Sequence, residues 1–249
     1  MDENKLLSIN FQTFSQLATD KNLSKYEKIG FPNSYREGFE KIIFSDILSK
    51  LTNLKNKKKK VVDIGPGCSE LPNMLIEKCR QNNHNLTLID NEEMLNLLPS
   101  NDSRITKFAA LFPNCNELIQ RLEGTIDAVL CYSVLQYIII DTAFFKFLDC
   151  SLSLLAPGGQ MLIGDIPNSS KRKRFFSSKT GVRFHQEFMK TENLPEVEFN
   201  RIEHGLIDDS VIFSILQRAR IQGFDAYIVP QGPSLPMANR REDILIIRP

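Results

Sequence analysis

Blocks of apolar residues recur along this 249-residue chain with two alternating periods. Short apolar runs at 61–64, 86–89, 105–108, 126–131 and 160–164 predict strands. Between them, residues at helical spacing predict helices at about 70–81, 91–98, 114–122 and 141–155; Leu71, Met74, Leu75 and Cys79 mark the first. Strand and helix in alternation argue for a parallel sheet. The turn Ala156-Pro157-Gly158-Gly159 leads out of the last of these helices into the fifth strand. Two more runs, Phe224–Pro230 and Asp243–Arg248, bring the expected strands to seven. Residues 1–54 read as helical instead: Phe11, Phe14 and Leu17-Ala18 recur at helical spacing, as do Phe39, Ile42-Ile43 and Ile47. A loop, Tyr26–Arg36, is expected between them.

Composition narrows the picture. The length suits one large α/β domain with additions, residues 55–249 behind the helical segment 1–54. A formal net charge of +1 supplies no global field for nucleic acid or an anionic membrane, and neither partner is expected. The first residues lack a signal-peptide pattern, and the apolar run Val134–Ile140 is broken by Gln136 and Tyr137. Five cysteines with no Cys-x-x-Cys pair suit a reduced, cytoplasmic setting. His84, His185 and His204 have no zinc-type spacing, so no metal site is expected. The basic run Lys55–Lys60, interrupted by Asn56, reads as a solvated loop entering the sheet.

The chemistry concentrates at Val61-Val62-Asp63-Ile64-Gly65-Pro66-Gly67-Cys68-Ser69-Glu70. A strand runs into an acid and a Gly-x-Gly turn, and a helix follows. Glycines let backbone approach a cofactor, and Asp90, ending the second strand, suits the two hydroxyl donors of a ribose. A pyrophosphate fits poorly, because Glu70 occupies the third glycine position of the dinucleotide fingerprint and its carboxylate would repel phosphate at a helix start. A cationic nucleoside without phosphates fits better. The stretch resembles the first motif of the class I S-adenosylmethionine-dependent methyltransferases, with Ser69 where many members carry a further glycine. Ile126–Tyr137 is similar to the family's fourth-strand motif, with Gln136 replacing a usual histidine, and Leu154–Ile163 to its fifth.

The resemblance implies an α/β, Rossmann-like, doubly wound and mostly parallel seven-stranded sheet, with an N-terminal helical cap over the cofactor cleft. Its last strand would be antiparallel, between the fifth and sixth. The cofactor would be S-adenosylmethionine, held by Asp63, Gly65 and Gly67 at the methionine end, Asp90 at the ribose, and Cys131 and Tyr132 at the fourth strand. After the third strand, Ala109-Ala110-Leu111 lacks the aspartate that many members use for adenine, so backbone or another side chain must serve. No Asn/Asp-Pro-Pro-Tyr tetrapeptide follows the fourth strand, which argues against nucleobase or glutamine-amide methylation.

For the acceptor, the expected reading is a small, polar, anionic or sugar-like molecule, with oxygen slightly favoured over nitrogen. Asp165, at the C-terminal end of the fifth strand, and His185, in an insertion at about 166–205, are the candidate bases. Arg172, Arg174, Arg240 and Arg241 are the candidate anion binders. Two rival readings stand beside this one: an S-adenosylmethionine-binding protein without turnover, and a nicotinamide-dependent oxidoreductase.

Overall fold

The computed structural model describes residues 10–99, 102–201, 203 and 205–249. The helical expectation for residues 1–9, and His204, lie outside them. Seven strands form one sheet: β1 (Lys60–Ile64), β2 (Asn85–Asp90), β3 (Ile105–Ala109), β4 (Ile126–Tyr132), β5 (Leu155–Pro167), β6 (Asp225–Val229) and β7 (Arg241–Ile247). Their order is β3-β2-β1-β4-β5-β7-β6. Every pair is parallel except those of β7, which runs antiparallel to both β5 and β6. The order reverses at β1 and β4, and the crevice there, at the strands' C-terminal ends, is where ligands enter such sheets.

Neighbouring residues on a strand face opposite ways, so each central strand feeds two cores. Val61, Leu86, Leu88, Ala128 and Leu130 join one apolar cluster. It is closed by Ile43 and Ile47 of α3 (Glu40–Lys50) and by Leu75 and Cys79 of α4 (Glu70–Asn82). Val62, Val129 and Ile163 join the other, with Phe147 of α8 (Phe144–Ser153) and Ile212 and Ile215 of α11 (Asp209–Ile221).

Several boundaries differ from the sequence reading. The helix expected at 141–155 is α8 (Phe144–Ser153), and a separate short helix not anticipated, α7 (Leu135–Asp141), precedes it. The Pro-Gly-Gly turn lies within β5 as a bulge, where pairing jumps from Ile126 with Leu155 to Ala128 with Gln160. Gly158 there has φ +73, and a Cβ on Gly159 would sit 2.7 Å from the carbonyl oxygens of Ala156 and Ile126. The expected loop Tyr26–Arg36 contains the short α2 (Lys25–Lys28), closed by a Ser24/Glu27 capping box, and a 3₁₀ turn, Asn33–Tyr35. Two helices not anticipated, α9 (Ser169–Phe176) and α10 (Lys179–Met189), build the insertion after β5.

Candidate active site

A cleft of about 950 Å³, counted with its open mouth, lies at the C-terminal ends of β1, β2 and β4. Its floor is the glycine turn. Gly65 and Gly67 have φ +71 and +64, and their missing side chains leave room for Val134 and Ile29, each of which a Cβ would meet below 3 Å. The Asp90 carboxylate lines the cleft and secures this turn: one oxygen accepts the Gly67 N–H at 2.9 Å and the other the Asn91 N–H at 2.7 Å. Burial pushes Asp90 up to about 6, although those two N–H groups pull it down. Behind the turn, Asp63 is buried on β1 and pushed up to about 8, by burial first and then by the Asp90 charge. Tyr132 lines the cleft, whereas Cys131, the next residue on the strand, faces the opposite core. Ala110, Leu111 and Phe112 form the wall beyond β3, and Met94 of α5 (Glu92–Asn96) stands beside them.

The N-terminal segment roofs the cleft. α1 (Phe11–Thr19) contributes Phe11 and Phe14, and the segment after α2 contributes Ile29 and Phe31. The first N–H of α1, that of Phe11, donates to the Asp141 carboxylate at 2.8 Å, on the opposite rim. Phe14 meets Tyr137 edge-on at 4.8 Å. Lys28 reaches back to the Ala18 carbonyl at 2.8 Å, tying the two short helices together.

At one end of the cleft lies a polar cluster. Ser133, just after β4, and Asp165, at the register shift near the end of β5, have φ +63 and +58, a backbone state costly for residues other than glycine. They face one another, Ser133 donating to Asp165 at 2.5 Å. Arg36 donates to the same Asp165 oxygen at 2.6 Å, and Arg241 reaches it at 3.1 Å and the Asp165 carbonyl at 2.8 Å. Burial alone would raise Asp165, but Arg241, Arg36 and Ser133 together hold it below the usual carboxylate range. Beneath it, the buried Asp243 accepts the Asp165 N–H at 2.7 Å and pairs with Lys50 at 2.7 Å. Arg36 and Ser133 line the cleft, and the Arg36 plane lies 4.1 Å from the Phe31 ring. The Nε of Arg36 is buried without a hydrogen-bond partner, in a residue only 5% exposed.

The sequence-derived candidates therefore separate. Gly65, Gly67, Asp90 and Tyr132 meet at the cleft, and Asp63 and Cys131 support it from behind. Asp165 and Arg241 meet in the polar cluster. His185 stands on α10, edge-on to Phe176 at 6.2 Å, and does not line the cleft. Arg174 pairs with Asp209, and Arg172 stacks over Phe176. Arg240 contacts its neighbour Asn239 at 3.4 Å. The residues that sequence reasoning passed over are Arg36, Ser133 and the roof; Arg36 closes the aromatic loop Tyr26–Arg36, which also carries Glu27 and Lys28, so its charge alone did not single it out.

The strand order, the antiparallel β7 and the glycine turn facing an acid at the end of β2 define the fold of the class I S-adenosylmethionine-dependent methyltransferases. Among solved structures, the plantazolicin methyltransferase BpumL, in complex with a monoazolic desmethylPZN analog and SAH, is similar with TM-score 0.59 and 13% identity, over 99% of this chain and 98% of that one. The CurJ carbon methyltransferase is similar with TM-score 0.57 and 13% identity over 98% of this chain, which spans 65% of the CurJ chain. A putative S-adenosyl-L-methionine-dependent methyltransferase from Methanococcus maripaludis gives TM-score 0.50 and 14% identity, covering 95% and 92% of the two chains. No protein-family model matches the chain, and no curated protein sequence does.

Proposed function

We propose that this chain is an S-adenosylmethionine-dependent methyltransferase acting on a small polar acceptor. The observation that carries the reading is the Asp90 carboxylate, fixed by the Gly67 N–H at 2.9 Å inside a roofed cleft, with acceptor capacity left for a ribose. Gly65 and Gly67 keep side chains out of the cofactor's path, and the roof lines it with the apolar Phe11, Phe14, Ile29 and Phe31. The Asp90 carboxylate, which lines the cleft, favours the hydroxyl donors of a nucleoside over a pyrophosphate. S-adenosylmethionine would supply a methyl group on a sulfonium, open to in-line displacement by the acceptor.

Arg36 and Arg241 both donate to Asp165, and the buried Arg36 Nε is left without an acceptor. A carboxylate supplies one, either the cofactor's own or one on the methyl acceptor, which keeps an anionic or sugar-acid acceptor as the proposed class. Asp165, engaged by two guanidinium groups and a hydroxyl, is a weak base; its proposed role is to hold Arg36 and Ser133 at the cleft. With no free base at the cluster, methyl transfer rests on alignment and desolvation, and oxygen is favoured only for an acceptor already acidic enough to ionise.

Calorimetry with S-adenosylhomocysteine and with NAD tests the reading. Tight S-adenosylhomocysteine binding and none of NAD is expected; the reverse overturns the reading in favour of a nicotinamide cofactor. Label transfer from methyl-labelled cofactor to a panel of hydroxy acids and sugar acids then separates turnover from binding alone.

A further inference from the structure

The insertion after β5 presents a surface that the cleft does not use. On α10, Gly181 lies so close to α9 that a Cβ would meet the Phe175 carbonyl oxygen at 1.9 Å. The N-terminal half of the helix is thus held down, with Phe184 5.6 Å from Phe175. The C-terminal half overhangs. Phe184 and Phe188 stack in parallel at 5.9 Å, and Phe188 and Met189 are 60% and 59% exposed. Leu194 and Phe199, in the segment that follows, are 71% and 59% exposed. Phe184, Phe188 and Met189, clustered at one end of α10, mark a contact surface rather than ordinary surface scatter.

The same insertion is rich in cationic residues. From Ser169 to Lys190 there are seven Lys and Arg and one acid, Glu187, so a chain of net charge +1 is net acidic elsewhere. Lys171, Lys173 and Arg174 pair with Glu242, Glu203 and Asp209. Lys179, Arg183 and Lys190 form no ion pair among the described residues. On the helical wheel Lys179 and Arg183 share one side of α10, with Lys190 at its C-cap, and Gly181, Phe184, His185, Phe188 and Met189 share the other. A helix with Phe and Met on one face and Lys and Arg on the other matches the interfacial pattern of peripheral membrane contact.

We propose that the α9–α10 insertion docks on an anionic lipid surface, Phe184, Phe188 and Met189 entering the headgroup boundary while Lys179, Arg183 and Lys190 meet lipid phosphates. Like charge opposes a second copy of the same face. A protein partner would need a groove complementary to side chains this prominent, whereas a bilayer adapts to them. Stacking on nucleobases would use the phenylalanines but not Met189 or Leu194. The contact differs from spanning: no helix among the described residues is long and apolar enough to cross a membrane.

The test is co-sedimentation of the full chain with phosphatidylcholine vesicles, with and without about 30% phosphatidylglycerol, near physiological salt. Binding is expected only to the anionic vesicles. The double variants Phe184→Ser/Phe188→Ser and Lys179→Glu/Arg183→Glu should each weaken it by at least about tenfold. Circular dichroism confirms that each variant is folded. Should a variant misfold, loss of wild-type binding at high salt and its competition by soluble phosphatidylglycerol micelles decide the matter. Absence of wild-type binding, equal binding to uncharged vesicles, or preferential binding to a single-stranded oligonucleotide or to polyglutamate overturns the proposal.

Discussion

Asp90 and Asp63 are the residues at which the cleft's chemistry is most exposed to measurement. Replacing Asp90 with Ala removes the proposed ribose acceptor and the anchor of Gly67, and calorimetric affinity for S-adenosylhomocysteine should fall by about 1.5–3 kcal/mol, the range for hydrogen bonds to a charged group. Asp63 gives a pH signature. Its native value of about 8 lies above that of the unfolded chain, so the native state holds a proton that the unfolded state releases near pH 4. Stability of the unliganded protein is thus greatest below that point and is lost as pH rises toward 8, with Asp90 adding to the slope up to about 6. Melting temperatures across this range should decline, and Asp63→Asn should flatten the decline. Asp165 acts oppositely: its lowered value means that its contribution is kept above the ordinary carboxylate range and lost on acidification. Arg36 sorts the two sources of a carboxylate. If the cofactor supplies it, Arg36→Gln weakens S-adenosylhomocysteine but not 5′-methylthioadenosine, which lacks the amino-acid end. If the acceptor supplies it, cofactor affinity is unchanged and the acceptor's KM rises.

At the scale of elements, the roof is the part of the cleft held by the fewest buried side chains. α1 has little of its own to bury: Ala18 is its buried residue, packed with Cys68 and Met94. It is held by the Phe11 N–H on Asp141 and by Phe14 on Tyr137. An acid at a helix N-terminus is worth about 0.3–1 kcal/mol through the helix dipole, more when its hydrogen bond is part-buried. Asp141→Ala should therefore loosen the roof without unfolding the sheet. The expected result is faster S-adenosylhomocysteine release in stopped-flow traces, by about threefold to tenfold, and easier proteolytic nicking before residue 36. Unchanged release would mean that α1 is not the gate. α3, by contrast, belongs to the sheet's own helical layer, since Ile43 and Ile47 are buried against the strands.

For the whole molecule, the sheet and its roof are separate supports of one cleft, so a ligand filling it should stabilise both. Saturating S-adenosylhomocysteine at a hundred times its Kd should add about 2.7 kcal/mol to unfolding stability and raise the melting temperature accordingly. NAD at the same concentration should add nothing.

What the sequence determined by itself is local. Period and turn chemistry placed all seven strands and α4, because burial of a short apolar run and the backbone freedom of Gly65 and Gly67 are properties of adjacent residues. They also marked Asp90, whose role follows from standing at a strand end. Only the tertiary structure decided what depends on distant residues. Arg36, Ser133, Asp165 and Arg241 come from four parts of the chain, and no spacing announces them. The antiparallel insertion of β7 between β5 and β6, implied only by resemblance, is what delivers Arg241 to Asp165. Packing equally took His185, Arg172 and Arg174 to helices of the insertion, because their neighbours Phe175, Phe176 and Phe184 associate with one another. A charge's function is set by what surrounds it after folding, and sequence distance carries almost none of that information.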